Sequence, residues 1–586
     1  MNNIISKYTK GAAMFVCGLT LTATMATSCT NLDETLYDQL NESNVDLTNE
    51  NDLSLLLGAA TAQYRYLVAD WFGMFHLLEE SGDQYMVPAR VGVGWGDAYI
   101  NLHKHNWNTE VGQILNPWDL AYRGVGYANQ VIDAIGDPGD DVAKKKSLSH
   151  ARFFRAMFYY HLLDMFGNPP LQTTQNVEQG YLPEQVGTEK LYEFVEEEFK
   201  YVKENIGDDD YFGYGNKYAA AMGLAKLYLN RNVYLGTTDN TGYEKALTEL
   251  DYIISSGKYS LATNYLDNFR ESIEECPEVI FAVPCDRTHT AQFGLQSYCF
   301  PQTGLEAYGS TAAGYNGSCA IPQWIRTYDN DDQRLTDTWA GGLQRYGVKN
   351  SDGTYTANAG DPIPFTTHDW AGEGYLNYNL NVHSIDNPGA FQQEGYRLHK
   401  YEIVADSKST DKGTTATDIV IFRYADVLMM KAECYLRLNN GHDAEAAQLV
   451  TQVRERSFRA NNLSKASRTA DDLRGGSVYA YGHEEYTTSD EGGYNDWSNK
   501  ISTNEGGADI ELGGLLDDLG WEFACELHRR QDLRRFKMKD GRSVWDGKSW
   551  FCKDATNMTT YDIYCIPSDA MKANVKLVQN PGYADN

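Results

Sequence analysis

Along this chain, segments with a helical apolar period alternate with segments that have none. In Asn116 to Ile135, Trp118, Tyr122, Val125, Asn129 and Ile132 recur near helical spacing. Ser149 to Phe166, "SHARFFRAMFYYHLLDMF", predicts a strongly amphipathic helix stopped by Gly167 and Pro169-Pro170. Thr188 to Asn205 begins on a cap residue and carries acidic first-turn positions. "KYAAAMGLAKLYLNRNVYLG" and "YEKALTELDYIISSGKYSL" then read as a helical hairpin. Small residues Ala220, Gly223 and Ala225 permit close contact, and Ala246, Leu250 and Ile254 share one face that ends at Gly257. The grammar returns in "RYADVLMMKAECYLRL" and "HDAEAAQLVTQVRERSF", where Ala425, Leu428, Ala432 and Tyr435 are answered by Ala444, Ala447, Val450 and Val453. Such pairs predict tetratricopeptide-type repeats, which bury their core between neighbours.

From about Cys285 to Ala416 the period disappears and Gly, Tyr, Thr and Asn dominate. A long irregular segment inside a folded chain is usually functional or disordered, and its aromatics argue against disorder. A second irregular segment runs from about Ser464 to Gly514. The pattern predicts a mostly α fold: a tetratricopeptide-like helical-repeat scaffold over about 51–284 and 417–586, carrying a loop-rich ligand-binding subdomain over about 285–416. Binding groups tend to gather on such loops.

The N-terminus has a different logic. Lys7 and Lys10 precede an uncharged apolar run, Gly11 to Ala26, which at about 16 residues is shorter than the roughly 20 that span a bilayer. Ala26-Thr27-Ser28-Cys29 places a thiol just past small residues, the arrangement of a lipoprotein signal. Residues 1–28 are therefore expected to be removed and Cys29 to be acylated, which would hold the chain on a membrane. Residues 29–50 read as an acidic tether.

Composition narrows the partners. The 586 residues include 50 Lys and Arg against 81 Asp and Glu, a net charge of −31 that repels a phosphate backbone and excludes nucleic acid. The 42% hydrophobic content is enough for a packed core. The eight cysteines after Cys29 form no CxxC pair, so zinc ribbons and thioredoxin-like sites are excluded. Most read as small buried apolar residues, leaving room for one disulfide among positions 276 to 319. The absence of GxxxxGK[ST], HExxH and GxSxG removes the corresponding phosphate-loop and catalytic readings. "YDNDDQR" lacks the glycine and terminal glutamate of an EF-hand and reads as a solvated acidic turn. No metal or cofactor site is expected.

Several stretches together resemble the SusD/RagB-like family of outer-membrane nutrient-uptake lipoproteins: "SHARFFRAMFYYHLLDMFGNPPLQT", "YEKALTELDYIISSGKYSL", "IFRYADVLMMKAECYLRL", "WEFACELHRRQDLRRF" and "IPSDAMKANVKLVQNPGY". They run in family order from the Cys29 signal, followed by "TNLDE", to Tyr583. The resemblance implies a non-enzymatic, surface-exposed lipoprotein of the outer membrane. It implies binding of an oligosaccharide, or in one branch a peptide, and delivery to a SusC-like TonB-dependent transporter.

Sugar recognition needs aromatic faces for C–H surfaces and fixed polar groups for hydroxyls. Within "SGDQYMVPARVGVGWGDAYINLHKHNW", Trp95 stands between glycines, with Asp83, Arg90, Asp97 and Asn101 nearby. By resemblance Trp95 is the platform, Asn101 and Arg90 bind hydroxyls, and Asp83 joins them. Asp83 and Arg90 can also be read as a structural ion pair. "GYNGSCAIPQWIRTYDNDDQR" resembles a second family stretch, which puts Tyr315 at a platform position and Trp324 in the core. Tyr298, Phe300 and Tyr308 complete the candidates. A surface glycoside hydrolase using two of the many carboxylates, and a ligand-free interaction scaffold, are the competing readings.

Overall fold

The computed structural model describes residues 50–586 except 91–92, 94, 208–211, 287–291, 366–373, 387–390, 406–413, 487–499, 555–560 and 585–586. Cys29, the signal and most of the tether lie outside the described residues. Helices α1 (Glu50–Ala69), α2 (Met74–Glu80) and α3 (Asp97–Lys104) lead into α4 (Gly112–Ile135), α5 (Val142–Phe166), α6 (Thr188–Asn205), α7 (Lys217–Leu229) and α8 (Thr241–Ser255). After a long insertion come α9 (Tyr424–Leu438), α10 (Asp443–Phe458), α11 (Gly513–Glu522) and α12 (Arg529–Arg535). Helices α4 to α10 pack successively, α8 directly on α9, so the hairpins on either side of the insertion form one continuous stack. None of the described helices is long and apolar enough to cross a membrane.

The local causes differ in places from the sequence expectation. Helix α5 begins at Val142 rather than Ser149, because the Asp141 side chain caps it by accepting from Lys144 N. From Leu148 to Phe166 it is buried on nearly every side, since α4 and α6 cover opposite faces; its polar positions are therefore interior ones. Helix α6 takes Gly187, at φ 89°, as its cap, and Thr188 makes no capping bond. In α8 the buried face runs through Ala246, Leu250 and Ile253, and in α10 Ala446 is buried where Ala444 is exposed.

Two five-residue strands, β2 (Val279–Val283) and β4 (Ile419–Arg423), pair antiparallel with Ile419 opposite Val283 and Arg423 opposite Val279. They bracket the insertion, which returns to the stack next to where it left. Between them lie mostly short two-stranded pairings, including β3 (Cys319–Ala320) on β1 (Tyr85–Met86). All eight described cysteines carry free thiols, so no disulfide joins positions 276 to 319.

A buried ionic seam fixes the insertion to the stack. Arg423, at the end of β4, donates to Glu278 (2.8 Å), Glu522 (2.8 Å) and Glu526 (2.7 and 2.8 Å). Arg456 of α10 reaches Glu278 and Glu522, Arg334 of the insertion reaches Glu522 (3.0 Å), and Lys400 reaches Glu526. The arginines of α12 continue it, Arg529 to Asp83, Arg530 to Asp164 and Arg535 to Glu433. Removing one partner of a buried pair leaves an uncompensated charge, so these groups specify how the segments meet.

Candidate functional site

Ahead of the Trp95 side chain, Val93 N donates to Arg90 O and Trp95 N to Val93 O (3.1 and 2.9 Å). Gly96 then caps α3. The indole is half-buried, and its Nε1 donates to the carbonyls of Tyr315 and Asn316, each at 3.2 Å. Those bonds tie the loop before α3 to the "GYNG" turn, which makes Gly317 necessary: a Cβ there would stand 2.5 Å from Trp95 Cζ2. Trp95 and Tyr315, the two platform candidates, are thus brought together from points distant in sequence.

A third ring completes the group. Trp71, in the α1–α2 turn, lies nearly parallel to Trp95 (6°, centroids 5.7 Å) and edge-on to Tyr315 (89°, 5.1 Å). All three rings are half-buried, and Phe72 beside them is 37% exposed. Trp71 was not among the sequence candidates. The available signal was "DWFG", two adjacent aromatics before a glycine.

Tyr298 lies beneath this surface and is not part of it. It is fully buried, stacks on His76 (3.7 Å, 27°) and donates to Tyr99 Oη at 2.6 Å. Its ring supports both tryptophans, 4.6 Å from Trp71 and 4.8 Å from Trp95. Burial drives the Tyr298 phenol well above its usual range and pushes Tyr99 up to about 12, with the Glu80 charge adding to both. Burial also lowers His76 to about 3 and raises Glu80, so burial disfavours the charged form of both partners in their 3.1 Å contact. The supporting layer is polar and buried.

Four further candidates lie outside the three-ring cluster. Arg90 is buried and clamps backbone, donating to Gly317 O (2.6 Å), Phe391 O (2.8 Å) and Glu394 O (3.0 Å). Asp83 is fully buried, paired with Arg529 (2.6 and 2.8 Å) and accepting from Tyr481 Oη (2.9 Å), so its ion-pair partner is not Arg90. Phe300 is fully buried against Tyr308 and Tyr378. Tyr308 is half-buried between Phe300 and His399 and belongs to a separate aromatic group. Asn101 sits half-buried on α3, the helix that follows the Trp95 loop. Trp324 is fully buried, stacked on Tyr479 and lying under the Arg529 guanidinium at 5.1 Å.

Chemically, this arrangement offers flat, partly exposed aromatic faces on a rigid polar base. Such faces bind C–H surfaces and do not need a group poised for proton transfer.

Residues 277–583 match the family model described as "SusD family", and residues 79–229 match one described as "Starch-binding associating with outer membrane". The chain is 25% identical over 480 residues to the starch-binding protein SusD of Bacteroides thetaiotaomicron, covering 76% of this chain and 74% of that one. It is 23% identical over 483 residues to SusD-like protein P25 of Formosa agariphila, covering 80% of each. Among solved structures, a SusD superfamily protein from Parabacteroides distasonis superposes with a TM-score of 0.65 at 18% identity, over 92% of this chain and 100% of that one. Surface glycan-binding protein A from Bacteroides thetaiotaomicron, in complex with laminarihexaose, gives 0.63 at 16% identity, over 90% and 99%.

Proposed function

Because this chain belongs to the SusD family, we propose that it is a cell-surface, non-enzymatic glycan-binding lipoprotein that captures oligosaccharides at the Trp71–Trp95–Tyr315 cluster. Captured glycan passes to a SusC-like TonB-dependent transporter, and acylated Cys29 holds the protein on the outer face of the outer membrane. The observation that carries the reading is the pair of near-parallel, half-buried indoles with a third ring edge-on, held by bonds linking the Trp95 loop to the "GYNG" turn. Relatives named for binding starch, or solved with laminarihexaose, support a saccharide as the ligand class.

Calorimetry with a panel of oligosaccharides tests this. Trp95→Ala removes a stacking face worth on the order of 1–3 kcal/mol, so affinity for the cognate glycan should fall about 5- to 150-fold. Stability should fall by about 1–2 kcal/mol, since the indole is half-buried. Undiminished affinity in a folded Trp95→Ala protein would sink the assignment.

A further inference from the structure

A second site lies in the helical stack, and none of its lining residues belongs to the aromatic cluster. A cavity of about 990 Å³ opens between the α7–α8 connection, the end of α9, the 474–476 and 508–512 segments and the chain after α12. Its size is in the range of small-molecule sites, about 300–1,000 Å³. In a chain with net charge −31, its ionisable lining is Arg437, Arg474, Arg535, Lys537 and Lys539 against the single carboxylate of Glu511.

Two of these cations are neutralised within the fold. Arg474 is paired with Asp443 (2.6 and 2.8 Å), and Arg535 with Glu433 and Asp532. Arg437 is paired as well, though with one donor left over, and Lys537 and Lys539 are not paired. Arg437 shares Glu433 with Arg535 through its Nε (2.7 Å), and its buried Nη2 has no hydrogen-bond acceptor. Lys537 Nζ reaches only the Arg534 carbonyl and Lys539 Nζ only the Ala508 carbonyl, each at 3.3 Å; among the described residues neither ammonium pairs with a carboxylate. Both lysine side chains are exposed to the cavity and solvent, and partial burial pulls the Lys537 ammonium below its usual range.

The backbone adds an independent sign. Leu512 (φ 55°), a lining residue just before α11, adopts the left-handed conformation, whereas Asn439 (φ 50°) does so as the ordinary cap that ends α9. Leucine rarely does so, and backbone strain of this kind collects at ligand sites. Tyr243 lines the same space with its ring near the Arg437 guanidinium, at 5.6 Å.

We propose that this cavity binds a compact oxyanion-bearing molecule, with a carboxylate or phosphate held by Lys537 and Lys539 beside the Arg437 guanidinium. Charge-assisted bonds from two ammonium groups beside a guanidinium suit either oxyanion. The carboxylate could be that of an acidic sugar, whose ring the volume admits.

Calorimetry on the full chain at low salt, with glucuronate, inorganic phosphate and neutral glucose as probes, tests it. At least one anion should bind saturably and weaken as salt rises, while glucose should neither bind in this cavity nor compete there. The tighter of the two anions identifies the source of the oxyanion. Lys537→Gln/Lys539→Gln should reduce anion affinity about tenfold or more, and Glu511→Gln should leave it equal or tighter. Lys539→Gln alone, on an exposed side chain, gives the direction of the effect if the double variant melts early. Trp95→Ala should leave anion binding unchanged, which separates this site from the glycan reading. Absence of saturable binding by both anions, or binding that persists in a folded double variant, overturns the proposal.

Discussion

Trp324 and Trp95 are the same residue type in regions that treat it in opposite ways. Trp324 stands on a short helix with Ile321 and Ile325 beside it, fully buried under Arg529 and against Tyr479. Gly520 is needed for it to fit, since a Cβ there would stand 2.5 Å from its Cη2. Trp95 stands on a glycine-flanked loop, half-buried, against rings that are themselves partly exposed. In the first region the aromatic face is matched by a buried cation that is itself held by Asp83. In the second it is matched by other aromatics above a buried polar base. The ionic seam makes its region specific and inflexible; the aromatic cluster keeps ring surface available.

The largest effect should come from the interior side of that contrast. Trp324→Ala empties a fully packed position and removes the ring beneath Arg529, so stability should fall by about 3–5 kcal/mol. Glycan affinity of the protein that remains folded should be unchanged. Thermal melts with calorimetry on the same sample measure both. A modest loss of stability with a large loss of affinity would reverse the roles assigned to the two tryptophans.

Acid should act next, and on the seam before the cluster. Burial alone would raise the Glu433 carboxyl, but the charges of Arg535 and Arg437 outweigh it and hold it at about 2. Asp562 likewise sits at about 2, held down against burial chiefly by Arg534. Both folded values lie below the unfolded ones. Their stabilisation is therefore present above the unfolded carboxylate range and is lost as pH falls toward 2. His76 and His103, lowered to about 3 by burial, work in the same direction, because only the unfolded chain takes their protons between about pH 6.5 and 3. Glu79 and Asp517, raised by burial to about 8 and 7, oppose them only at higher pH, where the unfolded chain has already released its proton. Below pH 4 that opposition has ended, so the melting temperature should drop steeply from pH 4 to pH 2. Glu433→Gln should flatten this limb. Glycan affinity between pH 7 and 5 should stay level, since His76 remains neutral throughout. A flat acid limb in the wild-type protein would contradict the seam as described.

The sequence was most legible where one helix face decides the outcome. The hairpins around Ala225 and Leu250 and around Ala432 and Val450 were visible because small and apolar residues recur on single faces. It was less legible where partners are distant. Arg90 and Asp83 are neighbours in sequence, but Arg90 finds its acceptors at Gly317, Phe391 and Glu394, and Asp83 its partner at Arg529. No local pattern carries that information. Tyr298 and Phe300 turn out to be interior for a related reason: Ser297 to Phe300 is buried without alternation, so composition could not separate a supporting ring from a surface one. Trp71 and Trp95 meet only because two turns converge.

The smallest predicted effect examines that convergence directly. Gly317 has no side chain, and its role is to let Trp95 approach. A Cβ would stand 2.5 Å from Trp95 Cζ2 and 2.9 Å from the Tyr298 carbonyl oxygen, closer than either contact permits. In Gly317→Ala the indole must move, because the carbonyl belongs to the buried base. Moving it stretches the two 3.2 Å bonds from Nε1 to the Tyr315 and Asn316 carbonyls and tilts the ring away from Trp71. Overpacking of this kind costs about 1–3 kcal/mol of stability, and the low end applies where a half-buried ring can yield. Affinity should fall about three- to tenfold, less than for Trp95→Ala, because the aromatic face is displaced and not removed. If the cluster binds through its shared geometry, Gly317→Ala and Trp71→Ala should each weaken binding, and together they should weaken it by less than the product of the separate losses. Full additivity would mean the two indoles act as independent contacts, and the platform would have to be redrawn around Trp95 alone.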